Sequence, residues 1–211
     1  MGFKEDAYEL TANGIIANLK KRNIEGFYYK DAASAVEDII NLMEKGAKVA
    51  AGGSETVKDI GLMAKLQSGD YEFIDRFAAT TPEESREIFA RTMLSDYYFM
   101  STNAITLDGE LVNIDGNGNR LSALIHGPKH VIIIAGMNKV TADVESAYKR
   151  VKTNACPPNA VRLNRNTPCG KTGKCGDCLS PDCFCNQIVI TRRSGHEGRI
   201  KVYLIGEELG Y

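Results

Sequence analysis

The sequence predicts an α/β fold, with a mainly parallel open sheet and helices on both of its faces. Segments typical of strands and of helices alternate along the chain, and the strand segments are continuous apolar runs such as 131–135. Such runs are typical of parallel sheets, because helices cover both faces of the sheet. No internal repeat is present, and no linker divides the chain before residue 165. We therefore predict a single domain over residues 1–211 that carries a cysteine-rich loop at about 167–186.

Helix caps and apolar spacing define the elements of the first half of the chain. One helix is predicted over 4–22. A second begins at the capping residue Asp31, carries apolar residues at helical spacing from Val36 to Met43, and ends at Gly46. The other predicted elements of this half are strands at 26–29, 48–51, 71–77 and 97–101, a helix at 55–67, and a helix that starts in the capping box Thr81-Pro82-Glu83-Glu84 and ends near residue 95.

Turn signals organise the second half of the chain. The pair Asp108-Gly109 is typical of a tight turn and predicts a hairpin that spans 105–114. The later predicted elements are a helix near 120–126, the most clearly buried strand at 131–135, a helix capped by Thr141, a short helix at 155–165, and two closing strands at 188–190 and 202–205 that are joined through a hairpin tip at 195–198.

The composition argues against two classes of protein. The chain has 26 Lys and Arg against 27 Asp and Glu, whereas a nucleic-acid-binding protein needs a clear excess of Lys and Arg. The longest pure apolar run, 131–135, is far shorter than the roughly 20 residues of a membrane-spanning helix. The first residues form no apolar signal core. We therefore expect a cytoplasmic protein that binds neither nucleic acid nor a membrane.

Most of the cysteines lie close together near the end of the chain. In a reducing compartment such a group is typical of a metal site rather than of disulfides. Cys175 and Cys178 can hold one ion or one cluster edge from a single turn, and the neighbouring glycines let the backbone wrap closely around an inorganic core. The six cysteines are Cys156, Cys169, Cys175, Cys178, Cys183 and Cys185.

The spacing of these cysteines favours iron–sulfur over zinc. Zinc modules usually have two paired cysteine motifs separated by about a dozen residues or more. Here one Cys-x2-Cys pair is followed closely by Cys183 and Cys185. The predicted cofactor is a [4Fe-4S] cluster, and the alternative is a zinc ion (Zn) that staples a long loop. Cys183 and Cys156 can instead be small buried apolar residues, which is the interpretation we prefer for Cys156.

Three predicted strands end in polar, glycine-containing turns, and this pattern predicts a pocket for a small anionic metabolite. Ligands of open parallel sheets bind beyond the carboxyl ends of the strands. Lys139 would provide a positive charge, Asn103 and Asn138 hydrogen bonds, and Asp108 or Glu55 a base. Taken singly, each residue has a simpler interpretation as a helix cap, a turn residue or a solvated charge. The predicted pocket residues are Gly52, Gly53, Ser54, Glu55, Thr56, Thr102, Asn103, Asp108, Gly136, Asn138 and Lys139.

Several segments resemble the lactate-utilisation (LUD) domain family. The similarity runs through 101–109, 113–120 and 134–139, and the run 167–186 is similar to the cysteine tail of one subgroup. The resemblance implies a fold like that of the sugar-phosphate isomerase and CoA-transferase group. It also implies a link to the oxidation of lactate or a related hydroxy acid, with iron–sulfur partners. The cysteines that match the recurrent ones of that tail are Cys169, Cys175, Cys178 and Cys185.

One position departs from the tail of that subgroup. Cys183 stands where the family often has Arg, which leaves the fourth ligand open between Cys183 and Cys185.

Three functions are hypotheses at this point. The first is an iron–sulfur protein of redox metabolism, an oxidoreductase or lyase component, with its cluster beside the anion pocket. The second is a transferase or isomerase of the CoA-transferase-like fold with a structural zinc loop, in which Glu55 or Asp108 acts as nucleophile or base. The third is a non-catalytic accessory subunit of an oxidoreductase partner protein. No catalytic residue is assigned, and the oligomeric state, homo-oligomer included, is left open.

Overall fold

A six-stranded parallel sheet lies at the centre of the molecule and confirms the predicted α/β fold. The computed structural model describes residues 2–211. With strands numbered along the chain, the central sheet contains β1 (Glu25–Tyr29), β2 (Lys48–Ala51), β3 (Glu72–Ile74), β4 (Tyr97–Met100), β7 (His130–Gly136) and β10 (Ile200–Ile205). Their order is β1-β10-β7-β4-β2-β3, and every neighbouring pair is parallel.

Helices cover both faces of this sheet. Successive residues of a strand point to opposite faces, so Tyr98 and Ile133 join one apolar cluster while Phe99 and Ile132 join another. The helices that contribute to the first cluster are α1 (Phe3–Lys21), α5 (Pro82–Met93) and α6 (Asn119–Ile125). Those that contribute to the second are α2 (Ala32–Leu42), α3 (Glu55–Asp59) and α4 (Leu62–Ser68).

A second, four-stranded sheet packs beside the first, and the sequence did not predict it. Its strands are β5 (Ala104–Thr106), β6 (Leu111–Asp115), β8 (Val140–Thr141) and β9 (Gln187–Thr191), in the order β8-β5-β6-β9. The antiparallel pair β5–β6 confirms the hairpin predicted from Asp108-Gly109. Since β9 pairs with β6, the chain that follows the cysteine-rich loop is anchored to this sheet.

The prediction that the last two strands are joined by a hairpin tip was wrong. Strand β9 pairs with β6 in the second sheet, whereas β10 lies between β1 and β7 in the central sheet. Residues 195–198 therefore connect two sheets. Every residue of β10 is buried, while Ile188 and Ile190 of β9 are about half exposed. Both segments are short apolar runs, so their sequences do not distinguish a central strand from an edge strand.

Two predicted helices differ in detail from the structure. The helix expected over 55–67 is divided into α3 and α4, because Gly61 adopts a left-handed conformation with φ of 72° between them. The helix expected to start at Thr141 is capped instead by Asp143, whose carboxylate accepts a hydrogen bond from the Ser146 amide at 2.7 Å. Thr141 lies in strand β8.

The last helices carry the chain from the second sheet to the cysteines. Three helical segments follow one another without a break: α7 (Val144–Arg150), one π-helical turn (Val151–Ala155) and α8 (Cys156–Arg162). Helix α9 (Pro168–Thr172) comes next. The inner side of α7 and of the π-helical turn packs on β5 and β6 in a third apolar cluster. Within residues 2–211, no helix combines the length and apolar character that a membrane span requires.

Candidate functional site

A cavity of about 290 Å³ opens at the carboxyl ends of the central strands. The turns that follow β2 and β4, and the 3₁₀ turn that follows β7, all contribute to its wall, because the carboxyl ends of parallel strands meet at one edge of a sheet. The second sheet and helix α8 close the opposite side. The predicted residues that line the cavity are Gly53, Ser54, Glu55, Thr56, Thr102, Asn103 and Lys139.

Lys139 is buried at the bottom of this cavity. Its side chain lies in the wall although the residue is only 3% exposed. The ammonium nitrogen donates hydrogen bonds to the Thr56 hydroxyl at 2.8 Å and to the Ser101 hydroxyl at 2.9 Å. Burial, and then the nearby Arg150 and Arg120 charges, lower the pKa of Lys139 to about 7. A substantial fraction of this amine is therefore neutral near physiological pH.

The depressed pKa of Lys139 predicts a pH-dependent cost to stability. Between about pH 7 and 10.5 the unfolded chain holds a proton on this amine that the folded protein has released. Stability attributable to Lys139 therefore rises with pH across that window, and below it the buried charge carries its full desolvation cost. We expect the free energy of unfolding of the native protein to approach or overtake that of Lys139→Met as pH rises, measured by urea denaturation. A difference that stays constant with pH would contradict this prediction.

Arg120 holds the polar wall of the cavity together. A guanidinium group has five N–H donors, and the hydrogen bonds of Arg120 use all of them. Its side chain is 15% exposed, and that of its ion-pair partner Asp115 is 10% exposed. The acceptors are the Asp115 carboxylate at 3.1 Å, the Asn113 side chain at 2.7 Å, the Asn103 side chain at 3.1 Å, and the backbone carbonyls of Ser101 at 3.2 Å and Ile114 at 2.9 Å.

Three more arginines at the mouth make the cavity cationic. Arg162 pairs with Glu55 at 3.4 Å, whereas residues 2–211 offer Arg76 and Arg165 no ion-pair partner. The two carboxylates of the wall, Glu55 and Asp115, are already paired with arginines. The side chains of Arg76, Arg165 and Lys139 therefore remain available to an anion. Sequence reasoning missed the arginines as pocket residues, because no motif links positions that the fold brings together from separate helices and loops.

Four predicted pocket residues lie outside the cavity wall. Asp108 is exposed in the β5–β6 turn, where its carbonyl accepts a hydrogen bond from Arg22 at 2.6 Å. Gly52 borders a neighbouring cavity instead. Gly136 and Asn138 contact the C-terminal segment instead, because turn 137–139 bends away from the cavity before Lys139 enters it.

The C-terminal segment completes one side of the cavity. The Asn138 side chain accepts a hydrogen bond from the Leu209 amide at 3.2 Å, and the Met137 amide donates to the Glu207 carbonyl at 3.1 Å. These contacts place Gly210 and Tyr211 in the wall. No sequence motif predicted that Gly210 and Tyr211 would line the pocket.

One sulfur contact links the cysteine-rich loop to the cavity. Cys156 is buried in the cavity wall, and its sulfur lies 3.5 Å from that of Cys185. Cys185, Cys183 and Cys178 lie close enough to influence one another's pKa. The hydrogen bond with Cys156, followed by burial, raises the pKa of the Cys185 thiol well above its usual range. Cys156 is buried in the third apolar cluster, and its sulfur also contacts that of Cys185.

The two other cysteines lie near the start of the loop. Cys169, on α9, is buried with its sulfur 3.2 Å from the Thr167 hydroxyl, and Cys175 is partly buried. A Cβ at Gly176 would lie 3.2 Å from the Pro168 side chain, so the Cys-x2-Cys turn folds against the beginning of α9. Within residues 2–211, no three His, Cys, Asp or Glu side chains are arranged to hold a single metal ion.

Comparison with solved structures supports the fold. The chain is similar to a DUF162 family protein from Deinococcus radiodurans, with 10% identity over 94% of this chain and 98% of that one and a TM-score of 0.56. Ribose 5-phosphate isomerase from Plasmodium falciparum matches over 53% of this chain and 52% of its own, with 16% identity and a TM-score of 0.32. A D-ribose-5-phosphate isomerase in complex with phospho-erythronic acid matches with a TM-score of 0.35 and 12% identity over 63% of this chain and 62% of its own.

Comparison at the level of sequence identifies the family. A search of curated proteins found no match. The family model for the LUD domain matches residues 12–205, which is most of the chain and includes the cysteine-rich loop and all of the cavity wall except Gly210 and Tyr211. The chain therefore belongs to the LUD domain family, which is related to lactate utilisation.

Proposed function

We propose that this protein is a cytoplasmic iron–sulfur protein of redox metabolism whose cavity binds a small anionic metabolite such as a hydroxy acid. The observation that carries the proposal is the position of Cys156. This residue belongs to the cavity wall, and its sulfur is 3.5 Å from the sulfur of Cys185 in the cysteine-rich loop. The anion pocket and the thiol cluster are therefore neighbours, so that a bound metabolite and a bound cluster would share one site.

The thiols of the loop are the groups that would hold a [4Fe-4S] cluster. Cys169, Cys175 and Cys178 are three ligands of the proposed set, and Cys185 is the fourth. When bound, such a cluster supplies electron transfer or, at an iron with an open position, Lewis-acid activation. Four thiolates on the cluster carry about −2 of net charge, which the arginines at the cavity mouth would offset.

The cavity itself binds and orients the metabolite. Arg76 and Arg165 have guanidinium groups suited to a carboxylate, because their planar donor pairs match its two oxygens. The buried hydroxyls of Thr56 and Ser101 fix the position of the Lys139 amine. Phe184 contributes an apolar side chain to the cavity wall.

Counting metal and sulfide per chain after anaerobic purification tests the proposal. We expect iron and sulfide in the amounts of a [4Fe-4S] cluster, with matching visible and EPR spectra. Among single variants, we expect Cys185→Ser to lose the cluster, because it removes a proposed ligand. Cys183→Ser and Cys156→Ser are the matched controls and should retain it.

Two results would contradict the proposal. Zinc near one per chain with no iron, reproduced under anaerobic expression, would replace the cluster with a structural zinc loop. Full cluster content in both Cys185→Ser and Cys183→Ser would show that the proposed ligand set is wrong.

The structure offers little to the other hypotheses. A transferase or isomerase would need Asp108 or Glu55 as its base or nucleophile. Asp108 lies outside the cavity wall, and Glu55 is paired with Arg162. An accessory role would appear as metabolite binding without turnover until an oxidoreductase partner protein is added.

A further inference from the structure

We propose that Lys139 forms an imine with the carbonyl group of a 2-oxo acid whose carboxylate is held by the arginines of the cavity. The inference rests on the anion pocket of the proposed function and names its substrate class. A 2-oxo acid is the oxidised partner of a 2-hydroxy acid, so both would fit the same cationic cavity.

The first support is the position of the amine. Lys139 is buried, yet its side chain lines the cavity, and within residues 2–211 no carboxylate lies within ion-pair distance of its nitrogen. The hydroxyls of Thr56 and Ser101 occupy two of its three hydrogen-bonding directions. Buried lysines are normally paired with an acid. Because Lys139 has no such partner in the described part of the chain, its third hydrogen-bonding direction is available to a ligand.

The second support is the charge around the amine. Arg120 on α6 and Arg150 on α7 act on Lys139 together with burial, and Asp59 on α3 opposes them only weakly. Of the other charged groups of the wall, Glu55 pairs with Arg162 and Asp115 pairs with Arg120. Arg76 and Arg165 have no ion-pair partner within residues 2–211 and add to the positive charge. Only a neutral amine attacks a carbonyl, and desolvation beside other cations is a recognised way to keep a lysine neutral.

The third support is the distribution of groups along the cavity. Lys139 lies at the buried end, whereas Arg76, Arg162 and Arg165 are at the exposed mouth. A 2-oxo acid with its carboxylate toward the mouth would direct its carbonyl carbon toward the amine. A carbonyl compound without a carboxylate would lack the contacts with these arginines.

The chemistry balances without an oxidant or reductant. The amine nitrogen forms a bond to the carbonyl carbon, and the carbonyl oxygen takes up a proton to give a carbinolamine. Loss of the second amine proton and of the hydroxyl group as water then gives the imine. The Thr56 and Ser101 hydroxyls lie at the nitrogen and can relay these protons.

Trapping with pyruvate and cyanoborohydride tests this inference on the full chain. We expect one reduced adduct per protein by intact mass, and peptide mapping should place it at Lys139. The rate of trapping should rise as pH passes through about 7, whereas an exposed lysine needs a pH near 10.5 for the same change. Acetone, which has no carboxylate, should give much less adduct under the same conditions.

Two matched variants complete the design. Lys139→Met should lose the adduct, and Lys58→Met should retain it, because Lys58 is an exposed lysine on helix α3 close to the same wall. Circular dichroism shows whether each variant still folds, and its iron content shows whether it still binds the proposed cluster. Since mapping is carried out on the native protein, the test does not depend on the folding of Lys139→Met.

The outcomes separate this inference from the proposed function. Pyruvate that binds, as followed by ligand-observed NMR, but gives no adduct at Lys139 would overturn the imine and leave the anion pocket in place. Adduct spread over exposed lysines would also overturn it. An adduct confined to Lys139 in a protein without iron would support the imine while the iron–sulfur proposal fails.

Discussion

Replacing Arg120 by alanine is expected to destabilise the protein by about 3–5 kcal/mol, because it breaks a largely buried ion pair by removing one partner. The Asp115 carboxylate would lose its partner at 3.1 Å while it stays 10% exposed. The side-chain oxygens of Asn103 and Asn113 would each lose an N–H donor at the same time. Urea denaturation of the two proteins at neutral pH measures this difference.

A matched arginine provides the control for this change. Arg86 is exposed on α5, and Arg86→Ala should change stability by no more than about 0.5 kcal/mol, as is usual for surface substitutions. Arg120→Ala should also reduce binding of small carboxylates, because the wall formed by 101–103 and 113–115 would lose its common donor. Equal stability of Arg120→Ala and Arg86→Ala would show that the hydrogen-bond network does not hold the wall.

Replacing Gly136 by alanine is expected to cost about 1–3 kcal/mol, the usual range for overpacking a well-packed interior. A Cβ at this position would lie 2.5 Å from the Asn138 side-chain oxygen, 2.5 Å from the Glu207 carbonyl and 2.8 Å from the Leu209 amide. Two of these contacts are backbone atoms, so the C-terminal segment must move. We expect faster hydrogen exchange at the amides of Met137 and Leu209, together with lower stability in urea.

Another glycine serves as the comparison for that substitution. Gly14 lies exposed in the middle of α1, and a Cβ there meets nothing within 4 Å. Gly14→Ala should therefore stabilise the protein by roughly 0.5–1 kcal/mol, because glycine is unfavourable in a helix interior. Opposite signs for the two substitutions are the expected result. If Gly136→Ala is neutral and leaves exchange unchanged, the close approach of the C-terminal segment is not what requires glycine.

The predictable part of the fold depended on local signals. The Thr81 capping box is present, with the Thr81 hydroxyl accepting from the Glu84 amide at 3.2 Å, and the apolar run 131–135 lies in the central strand β7. These features depend on neighbours in the chain, so the sequence displays them directly. Assigning β9 to a second sheet depends on pairing with β6, about 75 residues earlier, which apolar runs alone do not encode.

The candidate site was predictable only where it follows strand ends. Lys139 and Thr56 come directly after strands or their turns, and the structure places both in one wall. Arg76 and Arg165 belong to no motif, and they line one cavity only because the sheet and the late helices pack together. For Cys156, the missing information was its distance to Cys185, since small buried cysteines and paired cysteines have the same sequence context.

The π-helical turn Val151–Ala155 sets the direction in which Cys156 points relative to Arg150. It lies between Arg150, whose guanidinium donates to the Asn103 carbonyl at 2.7 Å, and Cys156. Each residue of a helix turns the chain by roughly 100°, so deleting one residue here would rotate Cys156 away from Cys185 while Arg150 kept its place. The length of this one turn therefore determines whether the Cys156 sulfur faces Cys185.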